Sequence, residues 1–352
     1  MFPIEAARFV EDSLGAALRR TRRIGGGRNS RVYRLDLADG RSCALKCYHK
    51  SAADGRDRLG REFAALTFLR GQGVACVPAP LAMSRELGLG LYSFAAGRRL
   101  SAGAADADLD QLAGFAKRLA VLSGTTPEAA FGPASEACFC LDDVAASLEG
   151  RIKRLLDAAP ASPAHGAMRE FVTRKLAPAS AAALARAAAS PAASARPDRG
   201  ERFLSPSDFG LHNAVRAQDG TVVFVDFEYF GWDDPAKFLC DFLLHPGMRL
   251  APARRAMVAW AILEALPEGG TAARIEACLP LHGFKWCLIL LNEFLTPELS
   301  RRVFSRGAAD PDLPARQLEK SKRMLARVLA GREAALLLGG PGKRAATTTE
   351  RR

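Results

Sequence analysis

A segment with two short apolar runs and a fixed spacing of Asp and Asn constrains the fold more than any other feature of the chain. The runs are Ala214-Val215 and Val222 to Val225, and Asp219-Gly220 lies between them. An Asp-Gly pair between apolar runs predicts a β-hairpin with a two-residue type I′ turn. In that register Asn213 lies directly opposite Asp226, with Cβ atoms about 4.5–5.5 Å apart on one face.

An amide and a carboxylate that meet at the end of a hairpin suit Mg²⁺, because hard cations prefer oxygen ligands. Asp208 precedes Asn213 through a short loop, which places a second carboxylate nearby in the position of a catalytic base. Phosphoryl transfer uses such a base together with Mg²⁺ and a positive charge. The alternative is that these residues only form turns. Asp226 argues against that alternative, because an unpaired carboxylate at the end of a buried strand is costly.

The residues before this segment have the pattern of a small antiparallel sheet. Residues 4–19 predict an amphipathic helix, and a glycine-rich turn follows over Gly25 to Ser30. The runs 32–37 and 42–48, joined by Asp39-Gly40, predict a hairpin. Further predicted elements are strands over 77–83 and 89–94 and helices over 57–70 and 106–123, a proline-cut helix or loose connection over 177–197, and helices over 271–332.

Lys46 lies on the second strand of that hairpin. A buried ammonium group needs an anion, so we expect it to pair with a carboxylate and with phosphates. Glu62, on the helix over 57–70, is the predicted partner, and Glu86 is a competing candidate.

From Ile24 to Pro246 the order of these parts resembles the aminoglycoside phosphotransferase and choline kinase group of the protein-kinase-like fold. The resemblance implies that Asp208 is the catalytic Asp, that Asn213 and Asp226 bind the metal, and that Asp234 and Asp241 support the site. The nucleotide-binding residues that it implies are Gly25, Gly26, Gly27, Asn29, Ser30, Ala44, Lys46, Glu62, Tyr92, Ser93 and Phe94.

The fold implied by the resemblance is α+β and two-lobed, with a small antiparallel-sheet N-lobe and a larger, mainly helical C-lobe. We expect a nucleotide-binding N-lobe over 1–95, a C-lobe with the catalytic loop and acceptor site over 96–338, and a disordered basic tail over 339–352. The implied function is Mg²⁺- and ATP-dependent transfer of the γ-phosphoryl group to a hydroxyl of a small molecule, either a sugar, an amino sugar or an amino alcohol. The acceptor's identity, the choice between ATP and GTP and the oligomeric state stay open.

One position departs from the family. The family commonly carries His two residues before the catalytic Asp, where this chain has Pro206. That His mostly braces the loop, so a second hypothesis is a non-catalytic nucleotide-binding pseudokinase or scaffold. His212 does not fill the same place, and we interpret His212 and His245 as hydrogen-bonded structural residues.

The composition agrees with a folded protein that binds anions. Lys and Arg number 50 against 38 Asp and Glu, a net charge of +12, which suits nucleotides and other polyanions. Nucleic-acid binding is not favoured, because neither a known module nor interleaved aromatic residues accompany the charge. No apolar run reaches bilayer length and no secretory signal pattern begins the chain, so we expect a cytoplasmic protein with no membrane span and reduced thiols.

Overall fold

A computed structural model describes residues 4–25, 29–50, 55–100, 103–160, 162–266, 269–306 and 310–339. The chain divides into two compact units, each built from three stretches of sequence. The first unit comprises Met1–Arg99, Asn213–Phe230 and Pro297–Asp310, and the second comprises Leu100–His212, Gly231–Thr296 and Pro311–Arg352. Among the described residues, none of the helices combines the length and apolar character that a bilayer span requires.

The first unit contains a five-stranded antiparallel sheet with the strand order β1-β2-β3-β5-β4. Apolar side chains of α1, among them Ala6 and Val10, pack in one cluster with Leu35, Leu45 and Leu91 of the sheet, which closes its core. The elements are α1 Ile4–Leu14, β1 Leu18–Gly25, β2 Ser30–Leu37, β3 Ser42–Tyr48, α2 Arg58–Gly71, β4 Pro80–Ser84 and β5 Leu89–Ser93.

The start of this sheet differs from the prediction. The helix predicted over 4–19 ends at Leu14, because Gly15 takes a positive φ of 63°, and β1 follows at once. The sequence pattern missed β1 because this strand lies at the edge of the sheet and carries exposed arginines rather than alternating apolar residues.

A three-stranded ribbon with the order β6-β8-β9 also belongs to the first unit; its strands are β6 Arg98–Arg99, β8 Ala214–Arg216 and β9 Val222–Phe224. Ala217 N–H donates to Thr221 O at 2.8 Å, so the turn has three residues and ends at Gly220, whose φ is 86°. Such a loop shifts the register by one residue relative to a type I′ turn. The predicted pairing of Asn213 with Asp226 is therefore wrong: Val225 N–H donates to Asn213 O at 2.9 Å.

The second unit is mainly helical, with a short antiparallel pair of strands. Phe209 contacts Phe238 and Phe242 in its core, with ring centroids 5.2 and 5.9 Å apart. The elements are α3 Asp106–Thr125, α4 Leu141–Asp157, α5 His165–Phe171, α6 Ala177–Ala188, α7 Pro191–Ser194, β7 Phe203–Ser205, β10 Gly231–Asp233, α8 Pro235–Leu244, α9 Pro252–Leu263, α10 Thr271–Leu290, α12 Leu313–Leu329 and α13 Arg332–Leu338; α11, Thr296–Arg306, lies mostly in the first unit. The predicted α+β class is confirmed, and the Ala-rich segment over 177–197 takes the proline-cut helical form.

Candidate active site

A cavity of about 300 Å³ in the first unit collects most of the predicted nucleotide and metal residues. Its wall is partly apolar, through Val32, Ala44, Leu66, Tyr92 and Phe94, and its polar groups include an ammonium, two carboxylates and an amide. The predicted residues that line it are Ser30, Ala44, Lys46, Glu62, Tyr92, Ser93, Phe94, Asn213 and Asp226.

Lys46 is buried and lies among three carboxylates. Its Nζ is 2.6 Å from Glu62, 2.5 Å from Asp226 and 3.3 Å from Glu228. Burial alone would lower the pKa of Lys46, but the charges of Asp226 and then Glu62 hold it well above the usual value. The lysine is therefore a fixed cation. Its carboxylate partner on α2 is Glu62, whereas Glu86 is exposed and contacts Lys50 through its backbone oxygen.

Glu62 is held from three sides. Tyr48 Oη donates to its Oε2 at 2.5 Å, Phe227 N–H donates to its Oε1 at 3.3 Å, and Lys46 supplies the charge. The hydroxyl of Tyr92 lies 2.8 Å from that of Tyr48 and continues the chain of hydrogen bonds. Sequence reasoning missed Tyr48, although its position two residues after Lys46 on β3 places both side chains on one face.

Asp226 lines the cavity with a backbone conformation that the predicted regular hairpin does not have. It has a positive φ of 74°, a left-handed conformation that Asp tolerates better than most residues. Asp226 and Asn213 therefore line one cavity although they are not opposed across the ribbon.

The carboxylates at this point suit a divalent cation. Oxygen atoms of Glu62, Asp226 and Glu228 all lie within 4.8 Å of one another. Glu228 is buried, which raises the pKa of its carboxyl, and its Oε2 lies 3.3 Å from Lys46 Nζ. The carboxylate of Asp226 and the amide of Asn213 both line the cavity, and these oxygen donors fit the chemistry of Mg²⁺.

The glycine-rich turn is described only in part. Gly25 ends β1, and Ser30 begins β2 and lines the cavity. Asn29 Nδ2 donates to Glu228 Oε1 at 2.6 Å and to Tyr229 Oη at 2.5 Å, so this side chain binds the segment after Asp226. Gly26 and Gly27 lie outside the described residues.

Two arginines that the sequence did not single out also line this cavity. Arg22 of β1 and Arg99 of β6 are exposed, and in the described part of the chain neither forms an ion pair. A Cβ atom on Gly25 would lie 3.2 Å from Arg99 Nη2, so this guanidinium lies against the start of the glycine-rich turn.

Asp208 belongs to the second unit, in a loop that starts after β7. Ser207 has a positive φ of 66°, its N–H donates to Ser205 Oγ at 2.9 Å and its Oγ donates to Ser135 O at 3.1 Å. Because the next residue, Phe209, packs against Phe238 in the core, the backbone position of Asp208 is fixed.

Two imidazoles contact the Asp208 carboxylate. Its Oδ1 is 2.8 Å from His212 Nε2 and 3.1 Å from His245 Nε2. Burial alone would raise the pKa of Asp208, but His212 and then His245 hold it well below the usual value. The spacing of four residues between Asp208 and His212 is a signal that sequence reasoning undervalued, whereas nothing in the sequence points to His245.

Behind this loop, buried ion pairs fix α8 and α10. Asp234 caps α8, since its Oδ1 accepts from Ala236 N–H at 2.8 Å, and its Oδ2 is 2.9 Å from Arg274 Nε. Asp241 lies 2.8 Å from Lys285 Nζ. These buried ion pairs link α8 to α10.

Comparisons with known proteins give the family of the chain and structures of similar fold. The chain matches the sequence model of the phosphotransferase enzyme family over residues 20–243. A search by sequence found no match among curated proteins.

Among similar solved structures, the choline kinase LicA from Streptococcus pneumoniae shares 13% identity over 92% of this chain and 99% of that one, with a TM-score of 0.57. Spectinomycin phosphotransferase, in complex with ADP and spectinomycin, shares 11% identity over 91% of this chain and 98% of that one, with a TM-score of 0.61. A choline/ethanolamine kinase family protein from Mesorhizobium loti shares 17% identity over 91% of this chain and 93% of that one, with a TM-score of 0.52. At these identities the likeness shows the fold, and the predicted two-lobed, protein-kinase-like fold is confirmed.

Proposed function

The chain belongs to the phosphotransferase enzyme family, and from that premise we propose that it transfers the γ-phosphoryl group of ATP to a hydroxyl of a small molecule. The observation that carries the proposal is the cavity in which Lys46 pairs with Glu62 and Asp226. The structural relatives act on choline, ethanolamine or spectinomycin by their names. The acceptor classes that we propose are therefore amino alcohols, amino sugars and sugars.

In this proposal the first unit binds the nucleotide. The base lies against Ala44, Tyr92 and Phe94, and Ser93 offers polar groups at the edge of the base. Lys46 contacts the phosphates, and Glu62 keeps the ammonium directed at them. The glycine-rich turn, from Gly25 to Ser30, follows the triphosphate.

The metal ligands in the proposal are Asp226 and Asn213, and a bound Mg²⁺ would offset part of the negative charge of the triphosphate. The chain's own contribution is to hold these oxygen atoms in place. Lys46 fixes one oxygen of Asp226, and the left-handed backbone at Asp226 directs the carboxylate into the cavity.

Asp208 is the proposed catalytic residue. Because its pKa is low, it is ionised at neutral pH and can only accept hydrogen bonds. We assign it the task of accepting the hydrogen bond of the acceptor hydroxyl and orienting that oxygen. The hydroxyl proton passes to the carboxylate as the bond from that oxygen to the γ-phosphorus forms and the bond from the γ-phosphorus to the bridging oxygen breaks, which releases ADP.

The test is a transfer assay with ATP and a panel of hydroxyl compounds, with phosphorylated products detected by mass spectrometry. Asp208→Asn should fold and bind Mg²⁺–ATP but lose turnover, and Asp226→Asn should lose turnover and bind Mg²⁺–ATP more weakly. Asp219→Asn is the matched control, since Asp219 lies in the exposed turn before β9. Mg²⁺–ATP binding without transfer to any acceptor would instead favour the pseudokinase, the hypothesis that Pro206 supports.

The proposal extends to the arrangement of the chain. We propose that residues 1–95 form the nucleotide-binding lobe and that residues 96–338 carry the catalytic loop and the acceptor site. The tail predicted over 339–352 lies outside the described residues from residue 340 onward. We place the reaction in the cytoplasm, because the proposed phosphoryl donor is made and kept there.

A further inference from the structure

Two histidines converge on a single oxygen of Asp208. His212 Nε2 and His245 Nε2 lie 2.8 and 3.1 Å from Oδ1, and the two rings stack with centroids 3.8 Å apart and planes 2° from parallel. Both side chains are largely buried, at 18% and 14% exposure, whereas the Asp208 side chain is 31% exposed. The carboxylate therefore contacts two largely buried imidazoles, and part of the Asp208 side chain is exposed.

The backbone sets the tautomer of His245. Gly247 N–H donates to His245 Nδ1 at 3.0 Å, so this nitrogen must carry a lone pair rather than a proton. In the neutral ring the proton is then on Nε2, which donates to Asp208 Oδ1. Burial, and next the charge of His212, lower the pKa of His245, which keeps it in this neutral donor form.

Packing sets the orientation of the same ring. The indole of Trp286 meets His245 edge-on, with centroids 4.4 Å apart and planes at 80°. The indole is fixed in turn, because Trp286 Nε1 donates to Asp241 Oδ1 at 2.9 Å and Asp241 is paired with Lys285. A buried ion pair on α8 and α10 thereby determines where the imidazole points.

The cluster has the composition of a transition-metal site, but its geometry is that of a hydrogen-bonded group. Oδ1 of Asp208 lies 2.8 and 3.1 Å from the two Nε2 atoms, which are hydrogen-bond distances. The Gly247 N–H keeps the proton of neutral His245 on Nε2, and a protonated nitrogen has no lone pair for a metal ion. The two contacts fix the rotation of the carboxylate about its Cβ–Cγ bond.

We infer that His245, together with His212, is a positioning residue that orients the Asp208 carboxylate toward the acceptor hydroxyl. This inference rests on the proposed function, in which Asp208 meets the acceptor. Misplacement of a catalytic group by about 1 Å can cost 100-fold in rate. Loss of the His245 hydrogen bond should therefore lower kcat and leave nucleotide binding unchanged.

The test compares His245→Met with His245→Gln in the full-length protein. The two side chains have similar length, and only glutamine keeps an N–H donor near the position of Nε2. We expect His245→Met to lower kcat about 10- to 100-fold with an unchanged KM for ATP, and His245→Gln to recover most of that loss. Equal kcat values for the two variants, or a wild-type kcat in His245→Met, would overturn the positioning role.

Asp208→Asn separates this inference from the proposed function. If wild-type protein transfers phosphate, Asp208→Asn abolishes transfer and His245→Met keeps the wild-type kcat, the positioning role alone fails. If wild-type protein transfers phosphate to no acceptor, the proposed function fails and the positioning role fails with it.

A measurement on the wild-type fold covers the case in which His245→Met does not fold. In ¹⁵N-histidine NMR spectra at neutral pH, His245 should show a protonated Nε2 and an unprotonated Nδ1, and Asp208→Asn should shift the Nε2–H resonance. The opposite tautomer, or an Nε2–H resonance that does not respond to Asp208→Asn, would overturn the inference.

Discussion

Replacement of Lys46 by methionine tests whether one ammonium group stabilises the carboxylate cluster of the first unit. Methionine keeps most of the apolar stem and removes the charge that contacts Glu62 at 2.6 Å and Glu228 at 3.3 Å. Both glutamates are left buried without this cation, whereas Asp226, 26% exposed, can be solvated. Removal of one partner from a buried ion pair costs about 3–5 kcal/mol, so we expect the free energy of unfolding at pH 8 to fall by about that amount.

The loss should be smaller in acid. Burial already raises the pKa of Glu228, and without Lys46 the pKa of Glu228 rises further above the unfolded-state value. A carboxyl whose folded-state pKa is raised favours the folded protein at low pH, and that contribution is lost as the pH rises through the folded-state pKa. The difference between wild type and Lys46→Met should therefore be smaller at pH 5 than at pH 8.

Urea unfolding followed by circular dichroism measures the free energy, and hydrogen exchange in β3 and α2 localises the effect to the first unit. Lys50→Met is the matched control, because Lys50 is exposed and lies just after the same strand, and its loss should stay within about 0.5 kcal/mol. A loss below about 1 kcal/mol for Lys46→Met, or equal losses at pH 5 and pH 8, would refute the reasoning.

Three further predictions concern other parts of the two units. Arg99→Gln should weaken ATP binding about fivefold, the effect of about 1 kcal/mol, in calorimetry, whereas the exposed control Arg19→Gln should not; equal Kd values would exclude Arg99 from the nucleotide site. Tyr48→Phe should lower the free energy of unfolding by about 1–3 kcal/mol, because buried Glu62 loses a donor, and an unchanged value in urea unfolding would count against that hydrogen bond. Burial, and next Lys285, lower the pKa of His282 to about 3 from 6.5, so its contribution to stability is complete above pH 6.5 and is lost as the pH falls toward 3. His282→Gln should flatten the unfolding free energy between pH 6.5 and 4, and parallel pH curves for variant and wild type would contradict this.

Local patterns predicted the elements whose signals lie close together in the sequence. The hairpin of β2 and β3 formed as expected around Asp39-Gly40, and α2 begins after the N-cap Asp57 and ends at Gly71, next to its expected range. The pairing of Lys46 with Glu62 could be predicted because a buried cation needs an anion and few acidic residues lie in the neighbouring elements.

Loop length was harder to predict than hairpin formation. In both Asp-Gly turns the glycine is the third loop residue, with φ near 87° in each case, so Asp-Gly does not distinguish a two-residue turn from a three-residue one. The resulting shift by one residue would separate Asn213 from Asp226 in a regular ribbon. Asp226, whose φ is left-handed, nevertheless lines the same cavity as Asn213. A single backbone dihedral of this kind produces no periodic pattern of apolar residues in the sequence.

Several contacts between distant segments could not be predicted from the sequence. His245 lies 37 residues after Asp208, and its role follows from the Trp286 and Gly247 contacts rather than from any motif. Arg99 reaches the cavity because β6 pairs with β8, a pairing that joins segments more than a hundred residues apart. The sequence alone does not show whether Glu228 faces solvent or is buried, and in the structure it is buried.

The first unit draws on three separate stretches of the chain, and this affects the order in which it can form during synthesis. Lys46 and Asp226 meet at 2.5 Å although 180 residues separate them, so a ribosome must complete more than half of the polypeptide before this contact exists. Until then Lys46 lacks its contact with Asp226, and Glu62 lacks the hydrogen bond from Phe227 N–H. Strand β6 also lacks its pairing partner β8. We expect a nascent chain halted before residue 213 to be unable to retain nucleotide, and its sheet to be a natural client for chaperones.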